Sequence, residues 1–555
     1  MGMGTESRCP RFASRPSLLE LLLTQVRERL SFANEADFSR CRGMSMKLKI
    51  LGLSASLRNA RRGGGNAALI SEIKTLPNKD GLNAYLKQQA SIHLQQFVEA
   101  GRSQNLPFDA LYKNLKKLKG DKGLSNSEIA LTAALWSAHN LGADIDHIAL
   151  SEHFPEHNDV EDAETLRAAL MECDGFLLSS PVYFGDRGSL AQSFLDFLRN
   201  DPELQRAMRG KVYGGIAVGA KRNGGQETTL IYQLMDMIQL GMLGVGNDSE
   251  TTSQYGGTGW AGDIGTMPKD EYGLDTSMGV GRRIARISAM LRMADTHRLK
   301  DRPKVSFWIL QDRDGIAQQY VERLIARSEV PCDAKVFPIA DKHVIRCLAC
   351  DVCPTNVDID EVYRCIIKTK KDWFPTMHEE LIHADAIIPV VYSPADRTGL
   401  VTMYQQFIER TRYLRRGDYV FSDVLCAPLA IEELGATENM QIRMMTSMIR
   451  QHTVISKPMT AYLYEGRNLN EEAVLRDLAD FITQAERATA GRLLVHSSGN
   501  EHLKYNPVGY VLSAAKDAED EKMKVRRKMV ESRLAHAKED ARIRLEMAEP
   551  AVAEQ

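Results

Sequence analysis

The sequence lacks the features that mark several large classes of protein. It contains no run of about 18 apolar residues, so we expect no membrane-spanning helix. Its 71 basic and 73 acidic residues nearly balance, so no net charge attracts the chain to nucleic acid. Its nine cysteines follow no disulfide pattern, which favours a reducing compartment. We therefore expect a cytoplasmic protein that binds neither membranes nor nucleic acid.

What the chain does contain is a repeated alternation of strand and helix patterns. Its length of 555 residues favours two to four domains, and its hydrophobic fraction of 43% is ordinary for globular cores. Short apolar runs alternate with amphipathic helical patterns in both halves of the sequence. This order predicts an α/β protein with a largely parallel sheet.

The first strand pattern ends in a loop suited to an anion. Residues 49–58 read KILGLSASLR, and residues 63–66 read GGGN before a helical pattern. Such a loop collects backbone N–H donors, and the helix dipole favours negative charge. Ser54, Ser56 and Asn66 can add hydrogen bonds, and Arg58 adds positive charge. The loop has neither the Lys-Ser/Thr end of a P-loop nor a strict Gly-x-Gly-x-x-Gly, so one terminal phosphate fits it best.

Two later segments supply aromatic rings and further glycines. Residues 173–186 read CDGFLLSSPVYFGD, a strand followed by a turn with two aromatic residues at its tip. Residues 211–230 read KVYGGIAVGAKRNGGQETTL, a strand followed by a basic, glycine-rich loop and a helix start. Gly224 and Gly225 allow backbone N–H groups to approach a flat, polar ligand closely. An ordinary strand-to-helix turn is the alternative interpretation of this third segment.

These motifs, together with YGGTGW at 255–260, resemble the flavodoxin-like NAD(P)H-dependent FMN reductases, and most closely their iron–sulfur flavoprotein branch. The resemblance covers about residues 46–295. It implies one FMN, an electron donor that is NADH or NADPH, and assembly into a homodimer or homotetramer. It also implies that the first loop holds the FMN phosphate and that the other two line the isoalloxazine ring. The implied cofactor-binding residues are Ser54, Ser56, Leu57, Arg58, Asn66, Pro181, Val182, Tyr183, Phe184, Gly185, Gly219, Arg222, Asn223, Gly224, Gly225, Gln226 and Tyr255.

The second half of the sequence repeats the first at a coarse level. Residues 384–396, ADAIIPVVYSPAD, mirror the CDGFLLSSPVYFGD of the first half. We therefore predict an α/β fold with two tandem flavodoxin-like doubly wound parallel sheets, followed by a charged C-terminal helix. The predicted divisions are an N-terminal extension at 1–44, an FMN-binding domain at 45–295 with a helical insertion at about 75–127, a second domain at 303–490 and a charged helical tail at 491–555.

The second half has lost the residues that suit a flavin. Its first loop, QDRDG at 311–315, carries two carboxylates that would repel a phosphate. Its third loop, IEELGA at 431–436, carries acids where the first half has Lys221 and Arg222. We expect no FMN there. Four arginines, Arg410, Arg412, Arg415 and Arg416, are expected to form a solvated basic face, and the alternative is that they steer an anionic partner.

Instead, the second half has a compact cysteine motif. Cys347, Cys350 and Cys353 stand at two-residue intervals before Pro354, and Cys365 follows twelve residues later. Three thiolates at this spacing, followed by proline, are typical of 4Fe–4S loops whose fourth ligand comes from elsewhere. Four thiolates also suit zinc, and a site without metal stays open. We expect a 4Fe–4S cluster, with Cys365 as the candidate fourth ligand.

The leading functional hypothesis is a redox enzyme. It would oxidise NADH or NADPH at FMN and pass electrons to an unknown small-molecule or protein acceptor, possibly through the cluster. No catalytic acid or base is assigned. Two alternatives are a non-catalytic electron carrier and a scaffold whose second domain is held together by zinc.

Overall fold

A computed structural model of the chain describes residues 48–58, 61, 63–118, 122–155, 160–248, 253–350, 353, 365–498 and 516–548. The predicted N-terminal extension, 1–44, lies outside these ranges. So do parts of the predicted insertion and tail, namely 119–121, 499–515 and 549–555.

The first half of the described chain alternates strands and helices from residue 49 to residue 299. Its strands are β1 (Lys49–Ser54), β2 (Asp144–Ala149), β3 (Gly175–Tyr183), β4 (Asp186–Arg187), β5 (Val212–Gly219), β6 (Leu243–Val245), β7 (Gly257–Trp260) and β8 (His297–Leu299). Its helices are α1 (Gly64–Lys74), α2 (Lys79–Glu99), α3 (Phe108–Lys116), α4 (Asn126–Asn140), α5 (Leu150–His153), α6 (Ala163–Glu172), α7 (Ser189–Asn200), α8 (Pro202–Met208), α9 (Gln226–Gln239) and α10 (Glu271–Ala294).

The second half continues the alternation to residue 547. Its strands are β9 (Lys304–Asp312), β10 (Asp333–Phe337), β11 (Ala386–Ser393), β12 (Val401–Thr402), β13 (Leu425–Cys426), β14 (Leu429–Glu433), β15 (Val454–Ile455), β16 (Met459–Tyr464), β17 (Arg467–Asn468) and β18 (Leu545–Met547). Its helices are α11 (Ile316–Arg327), α12 (Phe374–Ile382), α13 (Tyr404–Arg410), α14 (Arg412–Asp418), α15 (Met440–Ile449), α16 (Glu471–Ser497) and α17 (Lys516–Arg544).

Local sequence signals explain where these elements lie. Strands β5 and β11 are buried along their whole length, as expected of parallel strands covered on both faces. Helix α4 begins with a capping box, in which Ser125 and Glu128 each accept the other's backbone N–H. Helix α10 begins at Asp270, whose carboxylate accepts the N–H of Gly273 at 3.0 Å.

Both halves have the strand order of flavodoxin. In the first half, β2, β1, β3 and β5 are parallel neighbours in that order, and β6 and β7 together form the fifth position beside β5. In the second half, the parallel order is β10, β9, β11, then β13 with β14, then β15 with β16. This 2-1-3-4-5 order defines the flavodoxin-like doubly wound fold, which confirms the predicted fold class.

The two halves share one sheet. Gly244 of β6 pairs antiparallel with Ile455 of β15, so the fifth strands of the halves meet edge to edge in a sheet of 16 strands. The described residues between 48 and 548 belong to one compact unit. The domain boundaries at 45–295 and 303–490 therefore stay a prediction about units of folding and evolution.

A buried ion pair connects the halves behind this strand pair. Arg283 of α10 pairs with Asp423 and also donates to the His452 carbonyl at 2.6 Å. The side chains of Arg283 and Asp423 are only 4% and 1% exposed. His496 of α16 approaches the second Asp423 oxygen at 3.3 Å. Charges so deeply buried are stable only when they are paired and hydrogen-bonded.

The charged C-terminal helix is more closely packed than its composition indicates. Val525 and Met529 of α17 are buried, and the helix packs against α14 and α16. At its end, Arg544 donates two hydrogen bonds to Asp385, at 3.1 and 2.6 Å. The following strand, β18, pairs antiparallel with β8. The described tail is therefore tied to both halves of the molecule.

We predict that Arg283→Met lowers the free energy of unfolding by about 3–5 kcal/mol, because it leaves the buried Asp423 carboxylate without its guanidinium. Urea titration followed by circular dichroism measures the change. The matched control is Arg298→Met, which breaks an exposed pair with Glu546 and should cost no more than about 1 kcal/mol. Equal effects of the two variants would contradict a stabilising role of the buried pair between Arg283 and Asp423.

Candidate functional site

Three predicted loops meet at one edge of the sheet. In the strand registers, Ser54 lies beside Ser179, Pro181 beside Val218, and Gly219 beside Trp260. Parallel strands end at the same edge, where ligands bind in folds of this class. The structure thus brings together the first loop after β1, the turn after β3 and the loop after β5.

The first loop turns sharply at this edge. Ser54 and Ser56 are buried, and the Ser56 hydroxyl accepts the N–H of Arg58 at 3.1 Å. Ala55 donates its N–H to the Ser179 carbonyl at 2.8 Å, which ties the loop to β3. Leu57 and Arg58 are left exposed at the surface. The loop therefore exposes the basic side chain of Arg58, while hydrogen bonds hold the loop backbone in place.

A carboxylate that sequence reasoning missed occupies the start of α1. Glu152, in the short helix after β2, accepts the N–H of Gly63 at 2.5 Å and the side-chain amide of Asn66 at 3.1 Å. A negatively charged group at a helix N-terminus is stabilised by N–H donors and by the helix dipole. The donors assigned to a phosphate thus do suit an anion. The sequence contains one signal for Glu152, namely its position just after β2, because β2 lies beside β1 in the sheet.

A buried histidine orients the Asn66 amide. The Nδ1 atom of His147 lies 2.8 Å from the Asn66 Oδ1 atom. Burial, and secondarily the charge of Arg61, lowers the pKa of His147 to about 3, so the ring is neutral near pH 7. The geometry assigns the proton to Nδ1, because the amide oxygen can only accept. The Asn66 NH₂ group then faces the anion position.

The second segment forms a hairpin that projects from the edge. Strands β3 and β4 pair antiparallel through Val182 with Arg187 and Tyr183 with Asp186. Phe184 and Gly185 connect them with φ angles of 52° and 81°, as in the two-residue turns that suit hairpins. Phe184 is fully exposed and Tyr183 half exposed. Pro181, which precedes the hairpin tip, is partly buried.

The third loop touches this hairpin through backbone. Gly225 has a φ angle of 103°, and a Cβ atom there would lie 2.7 Å from the Gly185 Cα atom. Only glycine fits both the angle and the space. Asn223, two residues earlier, also has a positive φ angle, of 59°. The two loops predicted to line a planar ring are therefore in direct contact.

Gln226 holds the third loop from inside. Its side chain is buried, accepts the Gly224 N–H at 2.8 Å and donates to the carbonyls of Lys221 and Gly259 at 2.7 and 3.0 Å. A Cβ atom at Gly219 would lie 2.7 Å from the same amide. The structure therefore makes Gln226 an internal support of the loop.

Arg222 is likewise held by the protein. It pairs with Asp270, donates to the Thr258 carbonyl at 3.0 Å, and lies 5.1 Å from the ring centre of Tyr272. Asp270 also accepts the N–H of Trp260 at 2.7 Å. One carboxylate therefore joins the third loop, β7 and the start of α10.

Tyr255 lies where the halves meet. Burial raises its pKa, and the charge of Arg450, from the second half, opposes that rise. The negative charge of Glu227, at the start of α9, also raises the pKa of Tyr255. Of the predicted flavin residues, Tyr255 is thus placed between the third loop and the second half.

The corresponding edge of the second half is filled by its own side chains. Asp312 accepts the N–H groups of Arg313 and Ala317 at 2.7 and 2.9 Å, which caps α11. Burial raises the pKa of Asp312. Glu433 accepts the Tyr392 hydroxyl and, at 3.0 Å, the N–H of Ala395. Carboxylates thus already occupy the donors that a phosphate would need.

The four cysteines of the motif share one neighbourhood. Burial, and then the nearby thiols of Cys365, Cys350 and Cys347, raises the pKa of Cys353 to about 12. The Ala349 N–H donates to the Cys347 sulfur at 3.5 Å. Among the described residues, however, no group of three or more His, Cys, Asp or Glu side chains is close enough together to hold a metal ion. The donor chemistry suits a metal, but the described side-chain positions do not gather three of these thiols around one point.

A buried ion pair fixes the start of this cysteine loop. Arg410 pairs with Asp372 at 2.9 Å and donates to the Ile345 carbonyl at 2.9 Å, while Asp372 accepts the Ile345 N–H at 3.1 Å. Arg410 and Arg416 are buried, so the expectation of a solvated basic face was wrong for these two residues. The charge of Arg410 supports the start of the loop from within.

Comparison with known proteins finds a family profile and curated relatives that match part of the chain. The profile of the NADPH-dependent FMN reductase family matches residues 121–254, which include the second and third loops but not the first. An iron–sulfur flavoprotein of Methanocaldococcus jannaschii is 35% identical over 134 residues, which cover 24% of this chain and 68% of that protein. An NAD(P)H dehydrogenase (quinone) of Caulobacter vibrioides is 29% identical over 185 residues, 30% of this chain and 92% of that protein.

The chain belongs to the flavodoxin-like family of NAD(P)H-dependent FMN reductases and iron–sulfur flavoproteins, as its motifs indicate, and it is an NAD(P)H-dependent FMN oxidoreductase. Among solved structures, a WrbA-like flavodoxin of Agrobacterium tumefaciens is 14% identical, with a TM-score of 0.22 over 43% of this chain and 97% of that one. Within the described residues, every helix is too short or too polar to cross a membrane.

We predict that Glu152→Gln tightens FMN binding by about tenfold, equivalent to about 1.4 kcal/mol, because it removes a negative charge beside the position predicted for the phosphate. Quenching of FMN fluorescence on titration of apoprotein measures the affinity. Glu161→Gln, which neutralises an exposed acid of the same segment, is the control and should change nothing. Unchanged or weaker binding by Glu152→Gln would show that the phosphate does not compete with this carboxylate.

Proposed function

We propose that the first half binds one FMN at its carboxyl edge and there oxidises NADH or NADPH. The observation that carries the proposal is the contact of Gly225 with Gly185, which brings the two ring-lining loops together beside the anion position. FMN, when bound, accepts a hydride and releases electrons one or two at a time. The chain's own residues bind and orient it.

The residues divide this work by their chemistry. The Gly63 N–H and the Asn66 amide donate to the phosphate in place of Glu152, and the exposed Arg58 adds charge compensation. Tyr183 and Phe184 offer aromatic faces to the ring system. Gln226 and Arg222 hold the third loop rigid, so that its backbone N–H groups keep their positions.

The acceptor belongs to the proposal as well. Quinones are the class to test first, since the Caulobacter relative is named for a quinone. A protein acceptor is the other class, which the cysteine loop favours. We further propose that Cys347, Cys350, Cys353 and Cys365 hold a 4Fe–4S cluster, with zinc as the alternative that the same four thiolates suit. Assembly into a homodimer or homotetramer stays part of the proposal.

Flavin content and turnover test the proposal directly. Protein purified anaerobically should carry about one FMN per chain and oxidise NADH or NADPH in the presence of a quinone. We predict that Gly225→Val loses both FMN and turnover, because a side chain there collides with Gly185. Gly399→Val is the matched control, since Gly399 has a φ angle of 72° with no atom within 4 Å of its Cβ position.

Each outcome has a definite meaning. Two flavins per chain would contradict the assignment of the second half as flavin-free. Full FMN content in Gly225→Val would place the ring elsewhere. One tightly bound FMN without NADH or NADPH oxidation would favour the electron carrier.

We predict that Cys347→Ser, Cys350→Ser or Cys353→Ser each abolishes bound iron and leaves FMN content unchanged, because a 4Fe–4S cluster needs its thiolate ligands. Iron analysis and the visible spectrum of anaerobic protein measure the loss. Cys365→Ser tests the fourth ligand, and Cys332→Ser, a half-buried cysteine outside the motif, is the control. Zinc in place of iron in the wild-type protein would refute the cluster and leave the flavin assignment standing.

A further inference from the structure

The insertion at residues 75–127 lies against the loop assigned to the FMN phosphate, and one arginine of that loop reaches into it. The Arg61 side chain is 0% exposed. Its Nη2 atom donates to Glu72 at 2.7 Å, to the Tyr85 hydroxyl at 3.1 Å and to the Gln89 side-chain oxygen at 3.0 Å. Its Nε atom donates to the Gly123 carbonyl at 3.4 Å.

Most of this socket belongs to the insertion. Tyr85 and Gln89 are one turn apart on α2, so they share the helix face that meets Arg61. Gln89 also accepts the Gly123 N–H at 2.8 Å, which joins the helix to the far end of the insertion. Gly123 has a φ angle of 87°, and a Cβ atom there would lie 3.1 Å from the His93 nitrogen. The socket is thus closed by backbone that only glycine can form.

The remaining contact belongs to the helix that carries the anion donors. Glu72 lies on α1, the helix whose first turn contains Asn66, and it accepts from both Arg61 and the Tyr85 hydroxyl. Arg61 thus connects α1, α2 and the loop that presents Ser56 and Arg58. These acceptors stabilise the buried guanidinium through its Nη2 and Nε atoms, while its Nη1 atom is buried without a hydrogen-bond partner.

Arg61 is close in the chain to two groups of the anion site. It stands three residues after Arg58 and two before Gly63, whose N–H is an anion donor. Fully extended chain spans at most about 3.6 Å per residue, so Arg61 is tethered within about 11 Å of Arg58 and about 7 Å of Gly63. We propose that Arg61 is the positioning residue of the FMN phosphate loop and that the insertion acts as its socket. This inference rests on the proposed FMN site.

Comparison of two flavins tests the inference. FMN carries the phosphate and riboflavin lacks it, so a displaced phosphate loop weakens only FMN binding. We predict that Arg61→Met raises the FMN dissociation constant at least tenfold and changes the riboflavin constant less than twofold. Arg61→Lys keeps the charge and part of the hydrogen bonding, so it should lie between wild type and Arg61→Met. Fluorescence titration of apoprotein gives both constants.

Two further variants and one control complete the experiment. Tyr85→Phe and Gln89→Leu remove acceptors of Arg61 from the insertion side and should lower the FMN-over-riboflavin preference in the same direction. If Arg61→Met does not fold, these two variants decide the question. Lys79→Met breaks the exposed pair with Asp275 at the other end of α2, and its preference should equal that of wild type.

The outcomes separate this inference from the function on which it rests. Wild-type protein that binds no FMN would refute the proposed function. Wild-type protein that binds FMN, with Arg61→Met retaining the same preference, would overturn the role of Arg61 alone. Equal loss of both flavins would also overturn it, because Arg61 would then support the fold and not the phosphate loop.

Discussion

The antiparallel pairing of Gly244 with Ile455 is the constraint on which the rest of the structure depends. Each half ends in a short fifth strand, and a free edge there would expose unpaired backbone groups. Pairing the two edge strands satisfies the backbone groups of both and joins the sheets of the two halves into one. The buried Arg283–Asp423 pair lies behind this contact. The two flavodoxin-like halves are therefore held in a fixed relation by backbone and by charge.

The two halves differ in how a carboxylate binds the N-terminus of the first helix in each half. In the second half, Asp312 belongs to the loop itself and caps its own helix through adjacent N–H groups. In the first half, Glu152 comes from another segment and reaches Gly63 across the site. A local cap cannot leave without breaking the helix start, whereas a remote carboxylate can be displaced. Under the proposed function, the same fold closes one anion site and leaves the other open to exchange.

Sequence patterns predicted the alternation of strands and helices and the three loops because both depend on local chemistry. Buried apolar runs predicted strands such as β5 and β11, and Gly225 marked a close backbone approach. Glu152 and Arg61 could not be found this way, because their partners are distant in the sequence. Glu152 accepts from Gly63, 89 positions away, and Arg61 donates to Gly123, 62 positions away. The burial of Arg410 was missed for the same reason, since its partner is Asp372.

The antiparallel junction also constrains how the proposed flavin and cluster can be coupled. All principal strands of a half run in one direction, so an antiparallel contact between β6 and β15 points the two carboxyl edges to opposite ends of the sheet. The cysteine loop follows β10, the outer strand of the second half, which pairs with β9 alone. Neighbouring strands are about 4.8 Å apart, and the path from β5 to β10 crosses β6, β15, β13, β11 and β9. The proposed flavin edge and the start of the cysteine loop therefore lie in distant parts of one sheet.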